Sequence, residues 1–327
     1  MDTRPVSCSS VGDFYQVDGK QLEEQYRDYL SDFHDWEQLL HANEWILFEQ
    51  NLGTHLSLDE TALSQGELYT ILTNKAAKGR KGALVAMIRG TRSETVRAIL
   101  EKIPLKKRSK VLEVTLDMAA TMENIARFSF PNARLVTDRF HVQKLAYDAL
   151  QEMRIRYRWE AIDQENKEID LARETGQKYI PEVLENGDTL KQLLARSRYL
   201  LFKAQSKWTS TQHARAEILF NRYPCLEHAY KLVMQLGNIY HSVKHKGVAF
   251  SRLAKWYDQV EKSGFQSFNV VVRSIQSHYL NILNYFENRS TNASAESFNA
   301  KIKAFRASFR GVRNVSFFLF RLSKIYA

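Results

Sequence analysis

The sequence predicts an α/β protein: a mixed sheet with flanking helices, interrupted by a large all-helical insertion. Three observations lead there. Short runs of β-type residues, punctuated by glycine, crowd the chain between His55 and Arg89. Two further runs, ending at Asp117 and Asp138, are each reached only through a helical segment. Residues 143–290 then hold only Pro181, Pro224 and five glycines, too little punctuation for a strand-rich region.

Taken in order, residues 1–50 form an acidic and aromatic segment. Tyr26, Tyr29, Phe33, Trp36 and Leu40 recur at helical spacing there, so one helical stripe is expected. Three strands are predicted next: His55 to Asp59 (HLSLD), Glu67 to Thr73 (ELYTILT) and Ala83 to Arg89 (ALVAMIR), with turns at Gly66 and at Gly79/Gly82. Thr91-Arg-Ser-Glu94 has the pattern of a capping box, and Val96, Ile99, Leu100 and Ile103 mark the apolar face of the helix it would open. A fourth strand, Val111 to Leu116, ends at Asp117; a short helix leads to a fifth, Arg134 to Thr137, ending at Asp138. The insertion shows helical faces at Leu226, Ala229, Tyr230, Val233, Leu236 and Tyr240, and at Val272, Ile275, Tyr279, Ile282, Leu283 and Phe286. A last helix from about Ala293 would re-enter the sheet domain. The expected division is therefore 1–50, 51–142 for the first part of the core, 143–290 for the insertion and 291–327 for the core's last part. Three strands, then helix, strand, helix, strand is the order of the ribonuclease-H-like fold.

Composition removes several classes of function. The longest wholly apolar run, Ala83 to Ile88, is far too short to span a bilayer, and no signal peptide opens the chain, so a cytoplasmic protein without membrane contact is expected. Cys8 and Cys225 are too few for a disulfide framework or a cysteine zinc cluster. Net charge is +10, unevenly spread. Residues 1–60 carry 13 acids against 3 bases, whereas Lys75 to Lys110 holds 12 bases and only Glu94 and Glu101. From Asn299 to Ala327 there are 7 bases and no acid. Such clustering with interleaved aromatics suits a DNA backbone, although a basic face can also serve solubility alone. Arg80 and Lys81 between glycines could touch phosphate or simply solvate a hairpin tip. Trp208, flanked by Lys203, Lys207 and Arg215, could stack on a DNA end or pack in a helical core. No GKS/T follows Gly79 and Gly82, so nucleotide hydrolysis has no support.

Three acids stand out by position. Asp59 and Asp117 end strands whose carboxyl edges would face one side of the sheet, where ligands collect. Glu296 lies in NASAESFNAKIK, where Asn292, Glu296, Asn299 and Lys303 make a polar helical stripe opposite Phe298, Ile302, Phe305 and Phe309. Phosphoryl displacement asks for such a trio, because two Mg²⁺ ions can activate the attacking oxygen and stabilise the leaving one. Mg²⁺ takes hard oxygen ligands and keeps several waters, so two or three carboxylates suffice. Any one acid at a strand end is more often a turn former or a helix cap.

LDET, VTLDMA, VTDRFHV and, far downstream, NASAESFNAKIKAF resemble the DDE transposases of bacterial insertion sequences, of the ISL-three type. The resemblance runs from about Trp45 to Phe320, with the four motifs in the family's order. It implies a ribonuclease-H-like catalytic core with a helical insertion before the last acid. It further implies catalytic and metal-holding roles for Asp59, Asp117 and Glu296, with Mg²⁺, or Mn²⁺ as its substitute, as cofactor. Asp138, His141, Asn292 and Asn299 would support the site; the structural alternative is that Asp138 caps the next helix while His141 packs or hydrogen-bonds locally. Arg80, Lys81, Lys301, Lys303, Arg306 and Arg310 are the expected DNA contacts. Element ends and target DNA are the implied partners, with the chain a homo-oligomer on DNA. Many family members begin with a Cys/His segment and a helix-turn-helix; here only Cys8 and an acidic start are found, so a separate protein would supply that module or the element is truncated. A catalytically dead relative that binds DNA and regulates, or a ribonuclease-H-like nuclease, are the alternative functions.

Overall fold

Alternation along the strands decides which core each side chain joins. The computed structural model describes residues 1–63, 66–309 and 311–327. It divides into two units, 1–138 with 288–327, and 139–287.

The first unit opens with helices α1 (Cys8–Tyr15) and α2 (Gly19–Gln25), followed by a wide helical turn over Tyr26–Leu30. The single stripe expected through Leu40 is not formed. Ser31 is extended, the following residues run in turns, and Tyr29 and Leu40 are exposed. The stripe breaks because its inward-facing members serve a different element. Tyr26 and Phe33 pack with Cys8, Phe317 and Phe320.

The sheet has six strands in the order β1-β4-β3-β2-β5-β6. These are β1 (Trp45–Leu47), β2 (His55–Ala62), β3 (Leu68–Asn74), β4 (Leu84–Arg89), β5 (Glu113–Leu116) and β6 (Arg134–Thr137). The strand β1 is an addition to the five expected. Three residues are too short to show a period, and it exists by pairing antiparallel with β4, Trp45 opposite Ile88. The pairs β2–β3 and β3–β4 are antiparallel, whereas β2–β5 and β5–β6 are parallel. The parallel strands are joined through α3 (Ser93–Leu100), α4 (Leu105–Arg108) and α5 (Ala120–Ser129). The capping box at Thr91–Glu94 is not made: α3 begins at Ser93, and Arg92 at its N-cap offers no side-chain bond.

Leu56, Leu58, Val114 and Leu116 bury one sheet face against Val96 and Leu100 of α3 and Met122 and Ile125 of α5. Tyr69, Ile71 and Met87 bury the other against two C-terminal helices, through Phe298, Ile302, Phe305, Phe318 and Leu322. Each such side chain contributes about 1.5–3 kcal/mol on burial. Those helices are α13 (Ala293–Ser308) and α14 (Val315–Tyr326). Arg321 of α14 is fully buried and donates from Nη2 to the carbonyls of Met1 (2.9 Å) and Val6 (3.0 Å), so one base of the acid-free tail lies inside the protein.

The second unit contains only helices and turns among its described residues. It comprises α6 (Arg139–Glu174), α7 (Leu190–Arg196), α8 (Ser210–Arg222), α9 (Pro224–Ser242), α10 (Lys246–Ser263), α11 (Asn269–Ser277) and most of α12 (Tyr279–Asn288). All six residues of the Leu226–Tyr240 face are buried. The 272–286 face is split between α11 and α12, because the chain leaves helical geometry at His278. Trp208 donates from Nε1 to Leu200 O (2.8 Å) and sits among His213, Phe220 and Tyr230, which is packing.

Candidate active site

Parallel pairing sets the acids on neighbouring strands, but Asp59 does not end its strand as expected: β2 runs on to Ala62 because residues 59–62 pair with Leu68 to Ile71 of β3. Ser57 of β2 pairs with Thr115 of β5, the last pair of that ladder, and Asp59 and Asp117 each follow it by two residues. Leu116 of β5 pairs with Thr137 of β6, which sets Asp138 level with Asp117 on the next strand. Since Leu56, Leu58, Val114 and Leu116 fill the core against α3 and α5, alternation turns Ser57, Asp59, Thr115 and Asp117 to the opposite face, that of α13.

Helix α13 docks there through Asn299. Its Nδ2 donates to Asp59 Oδ2 at 2.7 Å and more weakly to Glu60 O at 3.4 Å. The other Asp59 oxygen, Oδ1, accepts the backbone N–H of Glu60 at 2.8 Å. Asp117 Oδ1 accepts the backbone N–H of Ala119 at 2.9 Å, a tight local turn that orients the carboxylate. Both aspartates are half-buried. Glu296 lies one turn before Asn299 on the same side of α13, in the helix's first turn, and is exposed. Among the described residues, no three His, Cys, Asp or Glu side chains are gathered tightly enough to enclose one metal ion.

Glu60 is a residue that sequence reasoning missed. Burial, and then the neighbouring carboxylates Asp117 and Asp59, push its carboxyl above the usual range. Strand alternation argues against its sharing a site with Asp59, so only the folded sheet reveals the proximity. Its position inside LDET is the one signal that could have drawn attention to it.

The supporting residues divide. Asp138 is buried, and its backbone N–H donates to Leu116 O at 3.0 Å. Asn292, at the N-cap of α13, is fully buried; its carbonyl accepts the Glu296 N–H at 2.9 Å, while its side-chain amide meets no protein partner. Asn299 Oδ1 is buried and without a protein partner as well. His141 belongs to the other unit, in the first turn of α6, edge-on to Phe140.

The expected DNA contacts also divide. Arg80 and Lys81 are exposed beside Lys301, Lys324 and Tyr326 around a cavity of about 530 Å³. Lys301 Nζ donates to Gly79 O at 2.7 Å, and Gly79 suits the approach because its φ is +67° and a Cβ there would lie 3.2 Å from that nitrogen. Lys303 is exposed. Arg306 spends Nη1 on the carbonyls of Ala62 (3.1 Å) and Leu63 (2.9 Å), which ties down the end of β2. Arg310 lies outside the described residues.

A mixed sheet of this order, acids on its neighbouring parallel strands or just beyond them, and a late helix returning onto them after a helical insertion define a ribonuclease-H-like fold. Residues 56–322 match the family model described as transposase, of the ISL-three type, and the chain belongs to that family. It is also similar to the transposase for insertion sequence element IS1001 of Bordetella parapertussis, 24% identical over 271 residues. That match covers 82% of this chain and 60% of the relative, so the chain spans 60% of the length of the curated relative it matches.

Proposed function

We propose that this chain cleaves and joins DNA strands in a divalent-metal-dependent reaction, with Asp59, Asp117 and Glu296 as the metal-holding acids. One observation carries the reading: Asp59 and Asp117 each follow the parallel pair Ser57–Thr115 by two residues and both act on the Glu60 carboxyl, where α13 docks through the 2.7 Å bond from Asn299 to Asp59.

The residues suit a hard divalent cation. The donors are carboxylate oxygens, burial and then the charges of Asp117 and Asp59 push the Glu60 carboxyl up, and the buried Asn299 Oδ1 has no protein partner. Mg²⁺ is commonly held by one or two carboxylates plus waters and substrate phosphate, so an ion need not be enclosed by three side chains before DNA arrives. When bound, a cation pair polarises the scissile phosphate and favours both the attacking and the leaving oxygen of an in-line displacement. The protein's own part is orientation. Asn299 and the Glu60 N–H fix both Asp59 oxygens, and the Ala119 N–H fixes one oxygen of Asp117. Arg80, Lys81 and Lys303 are the exposed bases offered to the DNA backbone.

The test uses duplex DNA carrying the element's termini, with Mg²⁺ or Mn²⁺. Asp59→Asn, Asp117→Asn and Glu296→Gln should each abolish cleavage and joining while DNA binding persists. Mn²⁺ should raise the melting temperature of the wild type and raise that of the variants much less. Retained joining in folded Asp117→Asn would overturn the mechanism. Binding without cleavage by the wild type would favour the regulator, and cleavage without joining the nuclease.

A further inference from the structure

Lys75 opens the most basic stretch of the chain, yet its ammonium is turned inward. It follows β3 directly, and its side chain is only 16% exposed. Nζ donates to Thr115 Oγ1 at 2.8 Å and to Ser290 Oγ, and stands 3.6 Å from Glu113 Oε1. Glu113 is 1% exposed. Its Oε2 receives Asn288 Nδ2 at 3.3 Å and faces Arg134 Nη2 at 3.5 Å, while Oε1 has no hydrogen bond and relies on the Lys75 charge. Burial lowers the Lys75 pKa, and the attraction of Glu113 works against that lowering.

The two hydroxyls belong to segments that the proposed chemistry needs in register. Thr115 lies on the same face of β5 as Asp117, two residues along. Ser290 belongs to the short connection that launches α13, the helix carrying Glu296 and Asn299. An ammonium has three donors around one nitrogen; here it bonds two hydroxyls, from β5 and that connection, and its charge faces Glu113 Oε1 at 3.6 Å. A planar guanidinium could not serve the three from one atom.

We propose that Lys75 is a positioning residue: by bonding Thr115 and Ser290 together, it sets where α13 begins relative to β5 and hence where Glu296 stands relative to Asp117. Its consequence for catalysis rests on the function proposed above; the tie itself does not. Misplacing a catalytic group by about 1 Å can cost about a hundredfold in rate, so loss of the tie should slow the reaction well beyond its effect on folding.

Lys75→Met alone would leave Glu113 buried with too little compensating charge, a strongly destabilising change in its own right. The informative variant is therefore Lys75→Met with Glu113→Gln, beside Ser290→Ala, which removes one bond and leaves the ion pair. Amide hydrogen exchange, read by mass spectrometry on the full chain, should accelerate about tenfold or more around residues 288–297 in the double variant, and to a smaller extent in Ser290→Ala. The double variant should melt close to the wild type. With DNA, both should cleave more slowly and need more Mn²⁺ for half-maximal rate, with DNA affinity unchanged. Wild-type exchange at 288–297 in both variants, or wild-type Mn²⁺ dependence in both, overturns the proposal. If the double variant does not fold, Ser290→Ala decides by the same two readouts. Failure of the function shows elsewhere, as activity in Asp117→Asn, while the exchange result still reports on the tie.

Discussion

Replacing Asn299 by aspartate would set a second carboxylate against Asp59, where the native amide donates at 2.7 Å. Two costs combine. The lost bond to a charged acceptor is worth about 1.5–3 kcal/mol. Two unit charges about 4 Å apart repel by roughly 4 kcal/mol at an effective dielectric of 20. Because Asp59 is half-buried and partly solvated, screening cuts the repulsion by about half, to about 1.5–2 kcal/mol, and the two costs then total about 3–5 kcal/mol at neutral pH. At about 2–4 °C per kcal/mol for a unit of 150–250 residues, melting should fall by about 10 °C. Asn299→Ala, which removes the bond and adds no charge, should cost only about 1–2 kcal/mol, since water can reach Asp59. The pH dependence has a definite sign. Asp59 raises the pKa of the introduced carboxyl above its unfolded value near 4, so the penalty is full above the raised value. It shrinks as pH falls through that value and disappears below the unfolded one. Thermal melts of wild type and both variants, in chelator, at pH 7.5 and pH 4.5 check this. If Asn299→Asp melts with the wild type at pH 7.5, α13 does not dock on Asp59 and the site loses its third element.

Other outcomes follow from the same geometry. Glu60 has a raised carboxyl pKa, so it destabilises the metal-free protein when ionised; Glu60→Gln should raise the melting temperature in chelator at neutral pH, with the gain vanishing in acid. Arg306→Ala strips two bonds from the carbonyls closing β2 and should cost about 1–3 kcal/mol in urea unfolding, with faster amide exchange near residues 60–63. The Arg80→Gln/Lys81→Gln variant should weaken binding to duplexes of any sequence alike and reduce the slope of log affinity against log salt by about 2, measured by fluorescence anisotropy. An unchanged slope would take the hairpin tip off the DNA path.

Much of the fold is legible in the residues because the signals are local and periodic. Strand-length apolar runs ending in Asp59, Asp117 and Asp138 already carry the strand order, and alternation carries the face on which Asp59 and Asp117 emerge. The helical insertion follows from scarce glycine and proline together with faces such as Leu226–Tyr240. The aromatic spacing from Tyr26 to Leu40 has a helical period, but Tyr26 and Phe33 are held by Phe317 and Phe320 from the far end of the chain, and that packing outweighs local preference. The three residues of β1 have no period of their own and become a strand only because β4 offers an edge.

The sequence by itself determined the strand-and-helix order and the charge inventory, but not that β2 continues past Asp59 to Ala62 along β3. Tertiary structure alone decided which charges remain available. Lys75, Arg306 and Arg321 count toward a basic, DNA-seeking surface, yet each is bound to acceptors contributed by remote segments: Thr115 and Ser290, the end of β2, and the carbonyls of Met1 and Val6. It also decided that Glu60 shares the field of Asp59 and Asp117. The physical reason is common to both. Secondary structure answers to neighbours a few residues away, whereas the free energy of a charge depends on every dipole and charge that the fold brings within a few ångströms.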